Sequence, residues 1–148
     1  MSENSIRERL LLAALDAVRT PVLALGASLH RSPTVALMRE QCPALVLFPE
    51  ADAITERAND RVTHLLTIRL VALARAIPPA MPDTDADRLL VAAHRALFTD
   101  ATLGGLALGL RELDGEFEIE DADAVVVALP ARYAITYRAV AHDLSLQG

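Results

Sequence analysis

The chain contains no lysine, and all fourteen of its basic residues are arginine. A phosphate-binding P-loop needs a lysine and a Ser or Thr directly after its last glycine. That route to nucleotide chemistry is closed, and Gly104-Gly105 is in any case followed by Leu106. Arginine favours planar, two-pronged contacts with carboxylates over diffuse solvation; a GC-rich genome would produce the same usage, and both origins stay open. Cysteine is nearly absent too. Cys42 alone excludes an internal disulfide and any Cys-rich zinc site, and its place before Pro43 in an apolar run marks it as a small buried hydrophobe. Long apolar runs are missing: "LLLAAL" and "VVVALPA" fall far short of the roughly 20 residues of a membrane-spanning helix, so a soluble chain is expected. The opening "MSENSIRER" mixes both charges and leads into no signal-peptide core. The expected location is the cytoplasm of the producing cell. With a formal net charge of −6 and no basic cluster along the sequence, neither nucleic-acid recognition nor membrane binding is expected.

What is present suits one ordinary domain. At 148 residues and 53% hydrophobic content the chain can bury a core without metals or disulfides. Residues 1–148 are therefore expected as a single domain with a polar C-terminal tail from about 141. Ser5 followed by Glu8 fits a capping box, and Ile6, Leu10, Ala13, Ala14 and Ala17 recur at helical spacing until Pro21, which should stop the helix. "VLALGASLHRS" reads as extended with a bend at Gly26, and "PALVLF" as a short buried strand. The polar stretch 51–60 is expected to be mobile, as is 78–82. From 61 to 76 the period becomes two: Val62, His64, Leu66, Ile68, Leu70 and Ala72 alternate with a wet face that includes Arg61, Arg69 and Arg75. One wet face implies an antiparallel sheet. "PPAMPDTDAD" breaks that strand and opens a second helix, which runs to about Phe98 and buries Leu89, Leu90, Ala93 and Leu97. Leu106, Leu108 and Leu110 then occupy even positions, but Leu113, Phe117 and Ile119 odd ones. That shift needs a bulge or a hairpin turn near Asp114-Gly115. A last strand alternates Tyr133, Ile135 and Tyr137 with Arg132, Thr136 and Arg138. This order predicts an α+β fold, a mostly antiparallel sheet with two main helices on one face.

No catalytic set emerges. "GGLALG" lacks the dinucleotide-binding spacing and leads into a strand pattern, so Gly104-Gly105 is expected to be a turn. The acidic run Glu112, Asp114, Glu116, Glu118, Glu120, Asp121 and Asp123 could gather a hard cation. Strand geometry instead sets Glu116, Glu118 and Glu120 in a row opposite Phe117 and Ile119, as on a solvated face. His30, His64, His94 and His142 show no metal-ligand spacing. Ser28 and His30 form no nucleophile elbow and, in an extended segment, are expected on opposite faces. The chain is thus expected to be no enzyme, to hold no metal or cofactor, and to work through its surface.

The carboxyl-terminal half resembles the tail terminator and minor tail protein families of long-tailed bacteriophages and prophages. The likeness is carried by the "AHRALFTD" helix end, the "TLGGLA" turn, the acidic strand and the closing "YAITYR", with "LTIRLVALA" and "PALVLFPE" in matching order, over roughly residues 40 to 140. The resemblance implies a sheet flanked by helices and a homo-oligomeric ring of six copies that ends tail-tube polymerisation and prepares the joint with the head. Its implied partners are other copies of itself, the tail-tube protein and a head-completion protein, first in the host cytoplasm and then in the virion tail. It implies no catalytic residues. Candidate subunit or tube contacts are Glu116, Glu118 and Glu120 on one strand face and Arg69, Arg132 and Arg138 on others. Alternatives are another head-tail joining component, a small cytoplasmic binding domain or a hydrolase.

Overall fold

The structure, a computed structural model, describes residues 3–33, 37, 41–75, 81–115 and 126–148. Helix α1 spans Ile6–Ala24 and begins where the Ser5 hydroxyl accepts the Glu8 amide at 3.0 Å. The other half of the expected capping box is absent, because the Glu8 carboxylate faces Arg31 instead. Pro21 does not end the helix as its missing N–H predicts. It sits in the last turn, where only one backbone bond is forfeited, and the next residue, Val22, is fully buried. Termination falls to Gly26, whose φ of 76° is open to glycine at no steric cost. The Gly26 amide then reaches the Leu23 carbonyl and the Ala27 amide that of Val22, which closes the helix in a Schellman motif.

Among the described residues six strands form one sheet: β1 (Ser28–Arg31), β2 (Ala44–Ala58), β3 (Arg61–Arg75), β4 (Gly109–Leu113), β5 (Val126–Val140) and β6 (Asp143–Gln147). The order is β1-β2-β3-β5-β4, with β6 also on β5, and only β1 with β2 is parallel. Helix α2 (Pro82–Thr99) has Pro82 at its start and Asp83 and Asp85 in its first turn, as the acidic approach predicts. The fold is α+β: two helices and a mostly antiparallel sheet.

Two expectations about strands fail. The segment 51–60 is not a loop: β2 runs on to Ala58 and turns into β3 through Asn59 and Asp60, with Asn59 at φ 57°. Its polarity comes from exposure, since every residue from Pro49 to Ala58 except Asp52 is solvent-exposed. Bulges between Pro49 and Ala51 and between Ile54 and Glu56 absorb the breaks in its period. The polar tail from about 141 is also structured, because Asp143–Gln147 folds back on β5. The segment 78–80 lies outside the described residues.

Register fixes which side chains share a face. β3 and β5 pair without interruption from Arg61 opposite Val140 to Arg75 opposite Val126. Leu66, Ile68, Leu70 and Ala72 therefore stand beside Ile135, Tyr133, Ala131 and Leu129. Leu45 and Leu47 extend this face across β2. Against it pack Ile6, Leu10, Ala14, Val18 and Val22 of α1 and Ala86, Leu89, Ala93 and Leu97 of α2, all within one buried cluster. Each fully buried aliphatic side chain contributes about 1.5–3 kcal/mol. Leu90 packs against this cluster but is only partly buried. Among the described residues no helix lies on the other face, called below the open face.

Candidate functional site

The open face carries the odd residues of β3 and the even residues of β5. Arg69 and Arg132 are direct cross-strand partners there. Like charges in that position repel, and Glu50 answers both. It lies at the bulge after Pro49, and its carboxylate meets Arg132 Nε at 3.0 Å and Arg69 Nε at 3.6 Å. Arg132 Nη1 also donates to the Asp114 carbonyl at 3.2 Å, while the Arg69 guanidinium lies 5.3 Å from the Phe48 ring centroid. Arg69 Nε is buried without a hydrogen-bond partner. Arg138 is on the same face six residues along β5, where its Nε donates to Thr63 Oγ1 at 3.2 Å. The three candidate arginines thus share one face, two of them on a common carboxylate. Candidates Glu116, Glu118 and Glu120 lie outside the described residues, as does the expected parity shift beyond Asp114-Gly115.

The same register adds residues that were not among the candidate contacts. Arg61 and Arg75 are on the open face of β3, and Arg111 joins them from β4, opposite Ala134. Glu56, opposite Thr63, is there too. The alternation of β3 already placed Arg61 and Arg75 on a wet face. Arg111 carried no such signal, because β4 is only five residues long.

The helix-covered side holds two polar assemblies. At the root of the exposed β2–β3 hairpin, the Asp52 carboxylate accepts the Tyr137 hydroxyl and lies 2.8 Å from His64 Nδ1 and 3.5 Å from Arg7 Nη1. The His64 and Tyr137 rings stack at 4.7 Å. Desolvation, and then the Asp52 contact, push the Tyr137 hydroxyl far above its ordinary value. In a cleft of about 580 Å³ between α2 and the β4–β5 edge, His94 Nδ1 is 2.8 Å from the Tyr133 hydroxyl. Burial, helped by Glu112, pushes Tyr133 up to about 12. Among the described residues no serine, threonine, cysteine or lysine lines that cleft, whose polar groups are Asp87, Glu112, His94, Arg95 and Tyr133.

Ser28 and His30 are brought together, contrary to the expectation that they face apart. Residues two apart in a strand point to the same side, and His30 Nε2 lies 2.8 Å from Ser28 Oγ. The pair is not set for nucleophilic attack. Ser28 Oγ donates its one proton to the Gln41 carbonyl at 2.6 Å, so the imidazole nitrogen is the donor to it, the reverse of a general base. Desolvation pushes the Cys42 thiol up, against the pull of Arg75. The glycine pair is a turn whose amides are already engaged: Gly104 N–H is given to Asp100 Oδ2 at 2.9 Å and Gly105 N–H to Thr102 Oγ1 at 3.1 Å. The hydroxyl and amides of that turn hold the Asp100 carboxyl below its ordinary value. Among the described residues no group of three His, Cys, Asp or Glu side chains could hold a metal ion, and no helix is long and apolar enough to cross a membrane.

No protein-family model matches the chain, and no characterised protein matches its sequence.

Proposed function

We propose that this chain is a structural subunit of the phage tail-terminator kind, which caps the tail tube, ends its polymerisation and prepares the joint with the head. It acts as a homo-oligomeric ring, six copies in the resembled families, with tail-tube protein on one side and a head-completion protein on the other. The supporting observation is the distribution of covered and uncovered sheet. Three strands of fifteen residues each form its middle, yet among the described residues both helices cover one face only, and β2 continues as exposed strand from Ala53 to Ala58. Among the described residues the far half of β2 is paired by β3 alone, and a strand with a free edge suits a protein whose partners complete it. The residue pattern over 40 to 140 supplies the family.

Sedimentation velocity over the widest attainable concentration range, with electron microscopy of the largest species, tests the proposal. Closed rings of uniform copy number are the expected result. A chain that remains monomeric at every concentration and salt level would overturn it.

A further inference from the structure

α2 lines its cleft against the β4–β5 edge with one stripe of side chains, Asp87, Leu90, Val91, His94 and Arg95, at the spacing of a single helix face. The volume of about 580 Å³ falls within the range of about 300–1,000 Å³ usual for small-molecule sites. Leu90, Pro130 and Ala131 give the cleft an apolar lining, and Tyr133, 1% exposed, is its most buried wall. Two carboxylates, Asp87 and Glu112, stand there against one guanidinium, Arg95. Among the described residues neither carboxylate has an ion pair or a hydrogen bond, whereas Asp85 on the same helix is paired with Arg88. The two are also well apart. Glu112 is the direct cross-strand partner of Tyr133, whose hydroxyl meets His94. Asp87 precedes His94 by two helical turns, about 10 Å along the axis. The Glu112 charge adds to burial in raising Tyr133 to about 12, so it is felt at the inner wall.

We infer that this cleft binds an aliphatic diamine in its diammonium form, with one ammonium at Asp87, the other at Glu112, and the methylene chain on Leu90, Pro130 and Ala131. A single ammonium on an exposed carboxylate gains little. Two on one chain act together, because the second contact forms at the high effective concentration set by the first. Burial of the methylenes adds to both. Arg95 follows His94 at the Glu112 end and opposes a cation there, so the ligand is held by its two ends jointly and not by either alone. A dicarboxylate of the same length would meet one guanidinium and two like charges. The site lies within one copy of the chain and does not depend on the assembly proposed above.

Calorimetric titration of the full chain tests this at about pH 8, where aliphatic amines are charged and an ordinary imidazole is not. The probes are a series of α,ω-diamines of increasing length, the monoamines of equal length and the matching dicarboxylates. One diamine length should bind best, and more weakly as salt rises. Its dissociation constant should rise by on the order of tenfold in D87N and in E112Q, and the monoamine should be weaker by as much. Asp87, Glu112 and Arg95 are exposed, so the variants should stay folded, which thermal melts check. R95Q removes the opposing charge and should tighten binding. Nuclear magnetic resonance shifts should centre on Val91, His94 and Ala131. No saturable binding of any diamine, affinity unchanged in D87N or E112Q, a monoamine as tight as the best diamine, or shifts spread evenly over the acidic surface would each overturn the site. Binding that is equal or weaker in R95Q would overturn the charge assignment. An amino acid that binds more tightly than every diamine and is lost in R95Q would overturn the choice of ligand.

Discussion

Leu65 and Leu66 are neighbours in β3 and have opposite surroundings. Leu66 is 1% exposed beneath the helices, while Leu65 is on the open face and only partly covered. The same division runs along much of the sheet, although Ala44, Val46 and Ala134 on the open side are buried as well. On the covered side Leu45, Leu47, Ile68, Leu70 and Ile135 are sealed by α1 and α2. On the open side Arg69, Arg132 and Arg138 stand at the corresponding positions one residue away. A strict period of two lets one strand serve the interior and an interface together, because substitutions on one face do not touch the other. The covered face holds the fold together, and the open face is where side chains can change with less cost to it.

Truncation should separate the faces most sharply. Leu66→Ala leaves a cavity under the helices and should cost about 2–5 kcal/mol, while Leu65→Ala should cost less than half as much. Chemical denaturation of both variants measures this. Equal losses would mean that the open face is a second core.

Polar groups should divide the same way, with a smaller effect. Asp52→Ala removes the acceptor of Tyr137 and the partner of His64, whose side chain is 10% exposed. Stranding those groups should cost about 1–3 kcal/mol. The loss should be almost independent of salt, since the network is largely shielded from solvent. Glu50→Ala on the open face leaves Arg69 and Arg132 opposite one another without their shared carboxylate. It should cost about 1 kcal/mol or less, and high salt should shrink that cost. Melts at low and high salt check both variants. A salt-insensitive Glu50 effect would place that residue in a drier setting than its 27% side-chain exposure indicates.

How far the sequence reveals this arrangement depends on how local each signal is. β3 is legible because its neighbours on both sides are long, so alternation is kept from Val62 to Ala74. The starts of α1 and α2 are legible from Ser5 and from Pro82 with its acids. The far half of β2 is not, because it is exposed and bulged, and a strand in water has no apolar period to show. The polar β6 is hidden for the same reason. The end of α1 is misread at Pro21 because a proline in the last turn loses little, while the decisive residue, Gly26, acts through backbone geometry. The arginines were visible one at a time. Their meeting on one face required the register between β3, β4 and β5, and the role of Glu50 required a bulge.

The smallest effect concerns the edge where the covered side meets solvent. Arg31 of β1 donates to the two Glu8 oxygens at 2.5 and 2.6 Å, which ties the first turn of α1 to the edge of the sheet. Those hydrogen bonds hold the Glu8 carboxyl below its ordinary 4.5, against the opposing pull of burial. A carboxyl lowered in the folded state takes up its proton first in the unfolded chain as pH falls. The stability it contributes is therefore fully present above 4.5 and is lost as pH drops through the lower folded-state value. Arg31→Met should remove that contribution, so the difference in melting temperature between wild type and variant should be constant above 4.5 and shrink below it. The side chains are 29% and 33% exposed, so solvent screens the pair and the difference should be smaller than that of Asp52→Ala. A difference that persisted unchanged at acid pH would show that Arg31 acts through the packing of its aliphatic stem and not through Glu8.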